Sequence, residues 1–490
     1  MASLDDIRSE RLKKLEVLKS VGHNPFPIES HRTHTLASLG DLFAGLVETE
    51  EMVILAGRVM ARRGQGALIF FDLFDGTGKF QGAIKKDVVG DEVLDLFHST
   101  VDVGDFIEVS GILFLTQQGE KTIQVASWKM LSKSLRPLPD KWHGLQDIEE
   151  RFRKRYLDSL MDDSVRERFI TRSRIITELR NFLNTEGFLE VETSILQSLA
   201  GGATATPFVT HHEALDIDLN LRVAPELDLK KMLIGGFPMV YEVGRCFRNE
   251  GIDATHNPEF TMLEAYASFS DSRKEMIRVE RLFKHLVFQV SGSYIANCHD
   301  QEINFDRAFI VKKYEDLIKE TTDLVDPFGM SIDELRTAAD KLGVHVDHSM
   351  TKEKIIDHIY KKVSRPTIVQ PTFLIDYPAA FAPLAKRRED DPALIDRFQL
   401  VIAGVELVNG FSELNDPLDQ RQRFMEQEKN KAAGDNEAQP KDEDFLEAME
   451  YGMPPACGWG IGVDRLTMLL TDVSNIKEVI YFPTLRPKQD

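Results

Sequence analysis

The chain has 490 residues, 42% hydrophobic and 29% charged, which implies two to four domains, each able to bury a sizeable core. Lys+Arg 60 against Asp+Glu 80 leaves a net charge of −20, which excludes a wholesale basic coat but not a local basic face for nucleic acid. The cysteines Cys246, Cys298 and Cys457 are far apart and form no C-x-x-C pair, so neither a disulfide framework nor a thiolate zinc site is expected, and a reducing cytosol fits.

Met1–Ser20 is charged throughout and has no apolar signal-peptide core; Leu400–Val408, the longest apolar stretch, carries Glu406 and is too short to span a membrane. Leu4, Ile7, Leu12, Leu15 and Leu18 have helical spacing, with Arg8, Arg11, Lys13, Lys14 and Lys19 predicted on a solvated face and Pro25 and Pro27 closing the helix. From Met52 the texture changes to strands: Met52–Val59, Leu68–Phe74, Lys79–Ile84, Phe106–Leu115 and Thr122–Val125, separated by turn signals such as Asp75-Gly76. Five strands in about 85 residues suit a small closed barrel of the oligonucleotide-binding type. Gly57–Arg136 carries 10 Lys/Arg and 10 Asp/Glu, so this module is neutral within an acidic chain. Leu135-Arg136-Pro137-Leu138-Pro139 reads as a stiff linker.

Beyond it, Arg151, Arg153, Lys154 and Arg155 form a basic cluster, and Ser164-Val165-Arg166-Glu167 predicts a capping box. The helix it opens presents Val165, Phe169, Ile176, Leu179 and Leu183 on one side and stops near Gly187. Strands at Val240–Asn249, Glu259–Tyr266, Phe398–Ala403 and Glu406–Glu413 mix irregularly with helices at Ser272–Val290 and Ile332–Leu342, which favours an antiparallel α+β domain. Phe411–Glu450 holds 12 acids against 5 bases and accounts for much of the acidity.

Residues two apart share a strand face, which groups Glu242, Arg248 and Glu250; Phe260, Met262, Glu264 and Tyr266; and Asn409, Phe411 and Glu413. Each set could be a solvated face, but a ring beside a single charge suits a ligand plane with a polar edge. Gly458-Trp459-Gly460-Ile461-Gly462-Val463-Asp464-Arg465 is a glycine-rich strand entering a helix, by itself a weak sign of phosphate binding.

These segments together resemble the class II aminoacyl-tRNA synthetases, and within them the lysine-specific branch, over roughly Ser3 to Pro487. Gly187–Thr193 is similar to motif 1, Phe247–Glu250 with His256–Phe260 to motif 2, and Gly458–Arg465 to motif 3. The lysine-type features are Gly201-Gly202-Ala203, Ala224-Pro225-Glu226-Leu227 and Asn409–Asp416. The resemblance implies a helical extension over 1–50, an anticodon-binding barrel over 51–139, and a catalytic domain over 140–490 with a helical insertion at about 270–370. It implies a cytoplasmic, homodimeric ligase that joins L-lysine to tRNA(Lys) through a lysyl-adenylate, with ATP as co-substrate and Mg2+ as cofactor.

By the same resemblance, Arg248 and Arg465 are catalytic, and Arg248, Glu250, His256, Asn257, Phe260, Glu406 and Arg465 bind ATP. Gly202, Glu226, Glu264, Tyr266, Asn409, Phe411 and Glu413 bind lysine, Glu226 at the α-amino group and Glu264 with Glu413 at the ε-amino group; those motifs contain no compensating Lys or Arg. Phe70 would stack on an anticodon base and Gln81 read a base edge, although Phe70 and Phe71 point to opposite faces and periodicity leaves open which one lies in the barrel core. Glu406 is the implied metal ligand; Gln399 stands where the family has a second carboxylate, and the two meet only if Gly404 turns the chain into a hairpin. Ser194, Thr206, Asp228 and Ser127 also depart from the family pattern. An aspartate- or asparagine-type ligase would need a basic pocket, and a non-catalytic RNA-binding paralogue would have lost Arg248 or Arg465.

Overall fold

In a computed structural model, which describes every residue except 1–2, 65, 140–144, 146, 204, 348–349, 433–439 and 489–490, the chain divides into Met1–Gly144 and Leu145–Asp490. The acidic stretch Phe411–Glu450 therefore lies partly outside the described residues. No helix among the described residues is long and apolar enough to cross a membrane.

The first unit opens with helix α1 (Leu4–Ser20), started by a reciprocal Ser3–Asp6 capping box. Arg11 is not on the solvated face expected of it: it is buried and donates to the carbonyls of Val103, Ser134 and Arg136 at 2.9–3.0 Å, because a guanidinium can satisfy several orphan carbonyls at once. Helix α2 (Leu39–Glu48) precedes β1 (Val53–Arg63), β2 (Leu68–Phe74) and β3 (Lys79–Lys85). Short helices α3 (Lys86–Val89) and α4 (Asp91–Thr100) then lead to β4 (Phe106–Leu115) and β5 (Lys121–Ser132). The strands close in the order β1-β2-β3-β5-β4, all pairs antiparallel except β3 with β5. The expected five-stranded oligonucleotide-binding barrel is thus present. Ile69, Phe71 and Leu73 are fully buried, which puts Phe71 in the core and Phe70 on the outer face.

The second unit begins with α5 (Ile148–Arg153), α6 (Arg155–Met161) and α7 (Asp163–Thr185). The basic cluster is consumed locally: Arg151 and Arg155 pair with Asp158, Arg153 with Glu149, and Lys154 with Glu150. The capping box expected at Ser164 is absent. Asp162 is the N-cap, accepting from the Ser164 N–H, since a carboxylate two residues upstream also complements the helix dipole. On α7 it is Ile175, more than Ile176, that reaches the core.

Strands β6 (Leu189–Glu190), β7 (Leu196–Gln197), β8 (Val209–His212) and β9 (Ile217–Leu221) precede α8 (Glu226–Ile234), β10 (Met239–Phe247) and β11 (Glu259–Ser268). Next come α9 (Ser272–Ser291), a hairpin of β12 (Ile295–Cys298) and β13 (Gln301–Asn304), and edge strand β14 (Ile310–Lys313). Helices α10 (Tyr314–Thr322), α11 (Ile332–Lys341) and α12 (Lys352–Ile359) lead to β15 (Thr372–Pro378), β16 (Leu394–Ile402) and β17 (Val405–Ser412). The chain finishes with α13 (Pro417–Ala432), α14 (Glu443–Glu450), β18 (Ala456–Gly462) and α15 (Val463–Leu470).

Eight of these strands form one sheet in the order β14-β15-β16-β17-β18-β11-β10-β6, parallel only at its two ends. Alternation divides its faces. Leu263, Ala265 and Ala267 of β11, and Cys457, Trp459 and Ile461 of β18, pack with Leu179 of α7 and Phe283 of α9. The other face therefore receives Phe260, Met262, Glu264 and Tyr266 together with Gly458, Gly460 and Gly462. Asp464 fastens this arrangement: it pairs with Arg172 of α7 at 2.7 Å and accepts from the Thr261 N–H at 2.7 Å.

In the barrel unit, Lys133 is fully buried between Asp105 (2.7 Å), Asp102 (2.6 Å) and the Thr100 carbonyl (2.7 Å). Lys133→Met strands the buried Asp105 carboxylate, and the expected cost is about 3–5 kcal/mol. Hydrogen exchange of the slowest amides in β1–β5 measures this loss directly.

Candidate active site

One cleft of about 480 Å³ opens on the polar face of the large sheet. It is lined by Gly202, Glu226, Arg248, Glu250, His256, Asn257, Phe260, Glu264, Tyr266, Gln399, Glu406, Asn409, Phe411 and Arg465, so the sequence motifs converge on a single space. Glu413 lies behind the wall, 1% exposed, against Lys230. Glu242, grouped with Arg248 by strand parity, does not line the cleft: β10 ends at Phe247, and Glu242 is neutralised by Arg222 at 2.5 Å.

At one end the groups suit a nucleotide. Arg248 lies 5.0 Å from the Phe260 ring centroid, a cation beside an aromatic platform, and its Nε is buried without a partner. Arg465, at the start of α15, donates to His256 Nε2 at 3.1 Å, and His256 Nδ1 meets the Asp253 carboxylate at 2.8 Å. A guanidinium only donates, so Nε2 is the acceptor and Nδ1 carries the proton given to Asp253. Burial lowers the Arg465 pKa while Glu406 counters it, and the guanidinium stays charged. Asn257 is buried, donates to the Glu259 carbonyl at 2.6 Å, and leaves its Oδ1 unpartnered.

β16 and β17 form the hairpin expected at Gly404, with Ala403 (φ 48°) and Gly404 (φ 72°) as its two turn residues. A bulge after Leu400 brings Gln399 and Glu406 to the same cleft. Gln399 Oε1 already accepts from the Tyr377 hydroxyl at 2.6 Å, and Tyr377 is buried. Among the described residues, the one group of three convergent potential metal ligands is Cys298, His299 and Asp472, none of which lines the cleft. The cleft's donor set fits a hard cation held by one carboxylate, Glu406, and completed by oxygens of a bound ligand.

At the other end the groups suit a cation. Glu226, Glu264 and Glu413 are all buried, and Tyr266 donates to Glu264 at 2.8 Å. Glu413 forms a buried ion pair with Lys230 at 2.5 Å. Room for this cluster depends on missing side chains. A Cβ on Gly458 would lie 2.2 Å from the Tyr266 ring and 2.5 Å from Glu413 Oε1, and one on Gly202, whose φ is +87°, would lie 2.9 Å from the Glu226 Cβ. Burial raises the Glu226 carboxyl against the pull of Lys230, and burial with repulsion from neighbouring glutamates raises Glu264 and Glu413 to about 8.

Lys230 corrects the expectation of a pocket without a compensating cation. It sits four residues after Glu226, 2.6 Å from that carboxylate, and is 1% exposed. Burial disfavours its ammonium, but Glu226 and Glu413 outweigh this and hold the amine protonated. The pairing is legible only as an i,i+4 spacing, which on most helices is a surface contact. Arg397, which donates to Asn409 at 2.9 Å and lies over the Tyr377 ring, lines the cleft without a sequence signal.

On the outer barrel face, Phe70 is half-buried and Gln81 accepts from Arg63 at 2.8 Å while donating to Thr122 at 2.9 Å. Ser127 meets Ser110 at 2.7 Å on the adjoining strands. Asp228 accepts from Gln197, the Thr206 carbonyl accepts from the Asn249 N–H, and Ser194 is exposed.

A barrel of the oligonucleotide-binding type, and an antiparallel sheet whose polar face carries arginines at one end and carboxylates at the other, define a class II aminoacyl-tRNA ligase. Comparison with known proteins agrees. The profile of the family described as tRNA synthetases class II (D, K and N) matches residues 147–486, and that of the OB-fold nucleic acid binding domain matches residues 53–131. The chain belongs to this class II tRNA synthetase family. It is 46% identical over 486 residues to a lysine–tRNA ligase of Carboxydothermus hydrogenoformans (99% of each chain) and 45% identical over 492 residues to one of Moorella thermoacetica (99% of each). It is 47% identical over 438 residues to one of Aquifex aeolicus, covering 89% of this chain and 73% of that one.

The raised carboxyls make a direct spectroscopic prediction. Infrared difference spectra of the ligand-free protein show protonated-carboxyl absorption that is lost as pH rises through about 8, and Glu413→Gln removes part of that change.

Proposed function

We propose that the protein is a lysine–tRNA ligase: it activates L-lysine with ATP and transfers the lysyl group to tRNA(Lys). The observation that carries this reading is the buried group of carboxyls Glu226, Glu264 and Glu413, which outnumbers its internal cation Lys230 by two. A buried ammonium needs a carboxylate, and a pocket with two carboxylates in excess suits an amino acid with two ammoniums.

In the first half-reaction a carboxylate oxygen of lysine attacks the α-phosphorus, the bond to the β-phosphate bridge oxygen breaks, and pyrophosphate leaves with that electron pair. Two anions must approach, so positioning and charge neutralisation dominate. Arg248 meets the carboxylate and the α-phosphate. Phe260 supports the adenine ring with Arg465 on its other face, and Glu250 accepts from the adenine amino group. His256 and Asn257 face the triphosphate; the Asp253 carboxylate fixes the His256 tautomer. Glu226 holds the α-ammonium, while Glu264 and Glu413, backed by Tyr266, Asn409 and Phe411, hold the ε-ammonium; Gly202 lines the pocket by its backbone. Glu406 would hold Mg2+, and the ion would supply neutralisation of triphosphate charge. In the second half-reaction the terminal ribose hydroxyl of tRNA attacks the lysyl carbonyl and AMP leaves.

Lys230 is also the observation that favours an aspartate-type pocket, since a side-chain carboxylate needs such a cation. Both of its neighbours are glutamates, however, and they already occupy its ammonium, which leaves no free cation for that substrate. The exposed apolar residues Leu196, Val209 and Ile217 on the small sheet β7–β9–β8 support a homodimer, and three free thiols suit the cytosol.

Among the twenty amino acids, lysine alone is expected to support ATP–pyrophosphate exchange. Glu413→Gln, which strips the ε-ammonium of a buried partner, lowers kcat/KM for lysine by about 2–5 kcal/mol, or ~30- to ~5,000-fold. Equal exchange with aspartate or asparagine defeats the assignment. Phe70→Ala lowers kcat/KM for tRNA by the ~1–3 kcal/mol of one stacked base and leaves exchange intact. Steady-state charging and exchange assays on the same preparation separate the two effects.

A further inference from the structure

Lys230 has no role in either half-reaction, yet among the described residues it is the one ammonium paired with the pocket's glutamates. Its Nζ lies 2.6 Å from Glu226 and 2.5 Å from Glu413, and 5.4 Å from the Phe411 centroid. Charged and titratable neighbours face it from several elements. Glu226 shares α8 with Lys230; Glu264 and Tyr266 come from β11, Glu413 from the end of β17, and Arg248 from the loop after β10. The thiols of Cys246 and Cys457 lie nearby but are pushed up by burial and stay neutral.

We propose that Lys230 is a specificity-determining residue: its fixed ammonium offsets one carboxyl of the Glu226–Glu264–Glu413 group and leaves a surplus of two, one for each ammonium of a diamino acid. The inference rests on lysine being the substrate. Three glutamates without Lys230 would have no ammonium beside them until the substrate enters. Buried charge of that kind is removed by binding a proton, and a protonated glutamate is a poor partner for an ammonium. Lys230 therefore does by structure what a proton would otherwise do, and does so independently of pH. The ligand-free protein already shows the same response, since Glu264 and Glu413 retain protons to about pH 8 in the places meant for substrate ammoniums. Substrate entry releases those protons. Without Lys230, Glu226 holds a proton as well, and entry, which pairs Glu226 with the α-ammonium, releases one more.

The test is lysine binding to the full-length protein by isothermal titration calorimetry in two buffers of different ionisation enthalpy, which counts the protons released. Lys230→Met is expected to release roughly one additional proton near neutral pH, in keeping with proton linkage. Its KM for lysine rises about tenfold or more at about pH 7 and recovers toward wild type by about pH 9, with the KM for ATP unchanged. Lys230→Arg keeps the charge and is expected to keep the wild-type proton count and pH profile whatever its absolute KM, so it decides the question if Lys230→Met does not fold. An unchanged proton count in Lys230→Met with a KM ratio independent of pH overturns the proposal and leaves Lys230 a packing residue of α8. A Lys230→Arg profile displaced from wild type also overturns it, because charge is then not the determinant. Failure of the substrate reading is distinct: wild-type protein would not bind lysine.

Discussion

Like charges buried together repel, and this site concentrates them. Glu226, Glu264 and Glu413 arrive from a helix, a central strand and the end of a neighbouring strand, and no single element could hold all three. The sheet makes the arrangement possible by committing one face to an apolar core, anchored by Trp459 and Phe283, so that the opposite face is free to be polar. Glu264 sits on backbone fixed by ladder hydrogen bonds, Glu226 in the first turn of α8, and Glu413 where its N–H donates to the Ala456 carbonyl, so the repulsion does not relax by moving the chain.

The nucleotide end solves the opposite problem with the same scaffold. Arg248 and Arg465 are held near each other by elements that leave the sheet, the loop after β10 and the N-terminus of α15. Asp464, one residue before Arg465, is tied to both Arg172 and the Thr261 backbone, which locks the first turn of α15 against β11 and α7. Anionic and cationic ends of one cleft thus rest on neighbouring strands, a polarity that matches a substrate with ammoniums at one end and a carboxylate next to phosphates at the other.

Much of this was legible in the residues. Alternation in Phe260–Tyr266 identified the face that lines the cleft, and turn chemistry at Gly404 located the hairpin that brings Gln399 and Glu406 together. Periodicity could not choose between Phe70 and Phe71, because a barrel strand with rings on both faces looks the same in either register. Strand parity failed at Arg248, since the strand ends one residue earlier. The capping motif at Ser164 failed because a stronger acceptor, Asp162, stood just upstream. Arg11 and Lys230 escaped notice for a common reason: long cations with helical spacing resemble surface residues until tertiary packing supplies their carbonyls or carboxylates.

The bare Cα of Gly458 constrains how this protein can drift under mutation. Every single substitution there adds at least a methyl group, and that methyl falls where Tyr266 and Glu413 already are. No gradual path exists in which the pocket shrinks slightly and keeps its occupant, because the first step evicts a ring or a carboxylate that other residues hold in place. Charge at the pocket can be tuned by exchanging Glu for Gln at nearly constant volume, but its size at this wall can change only by losing the site. A lineage that altered amino-acid preference would have to rebuild β11 and the end of β17 together before position 458 could move.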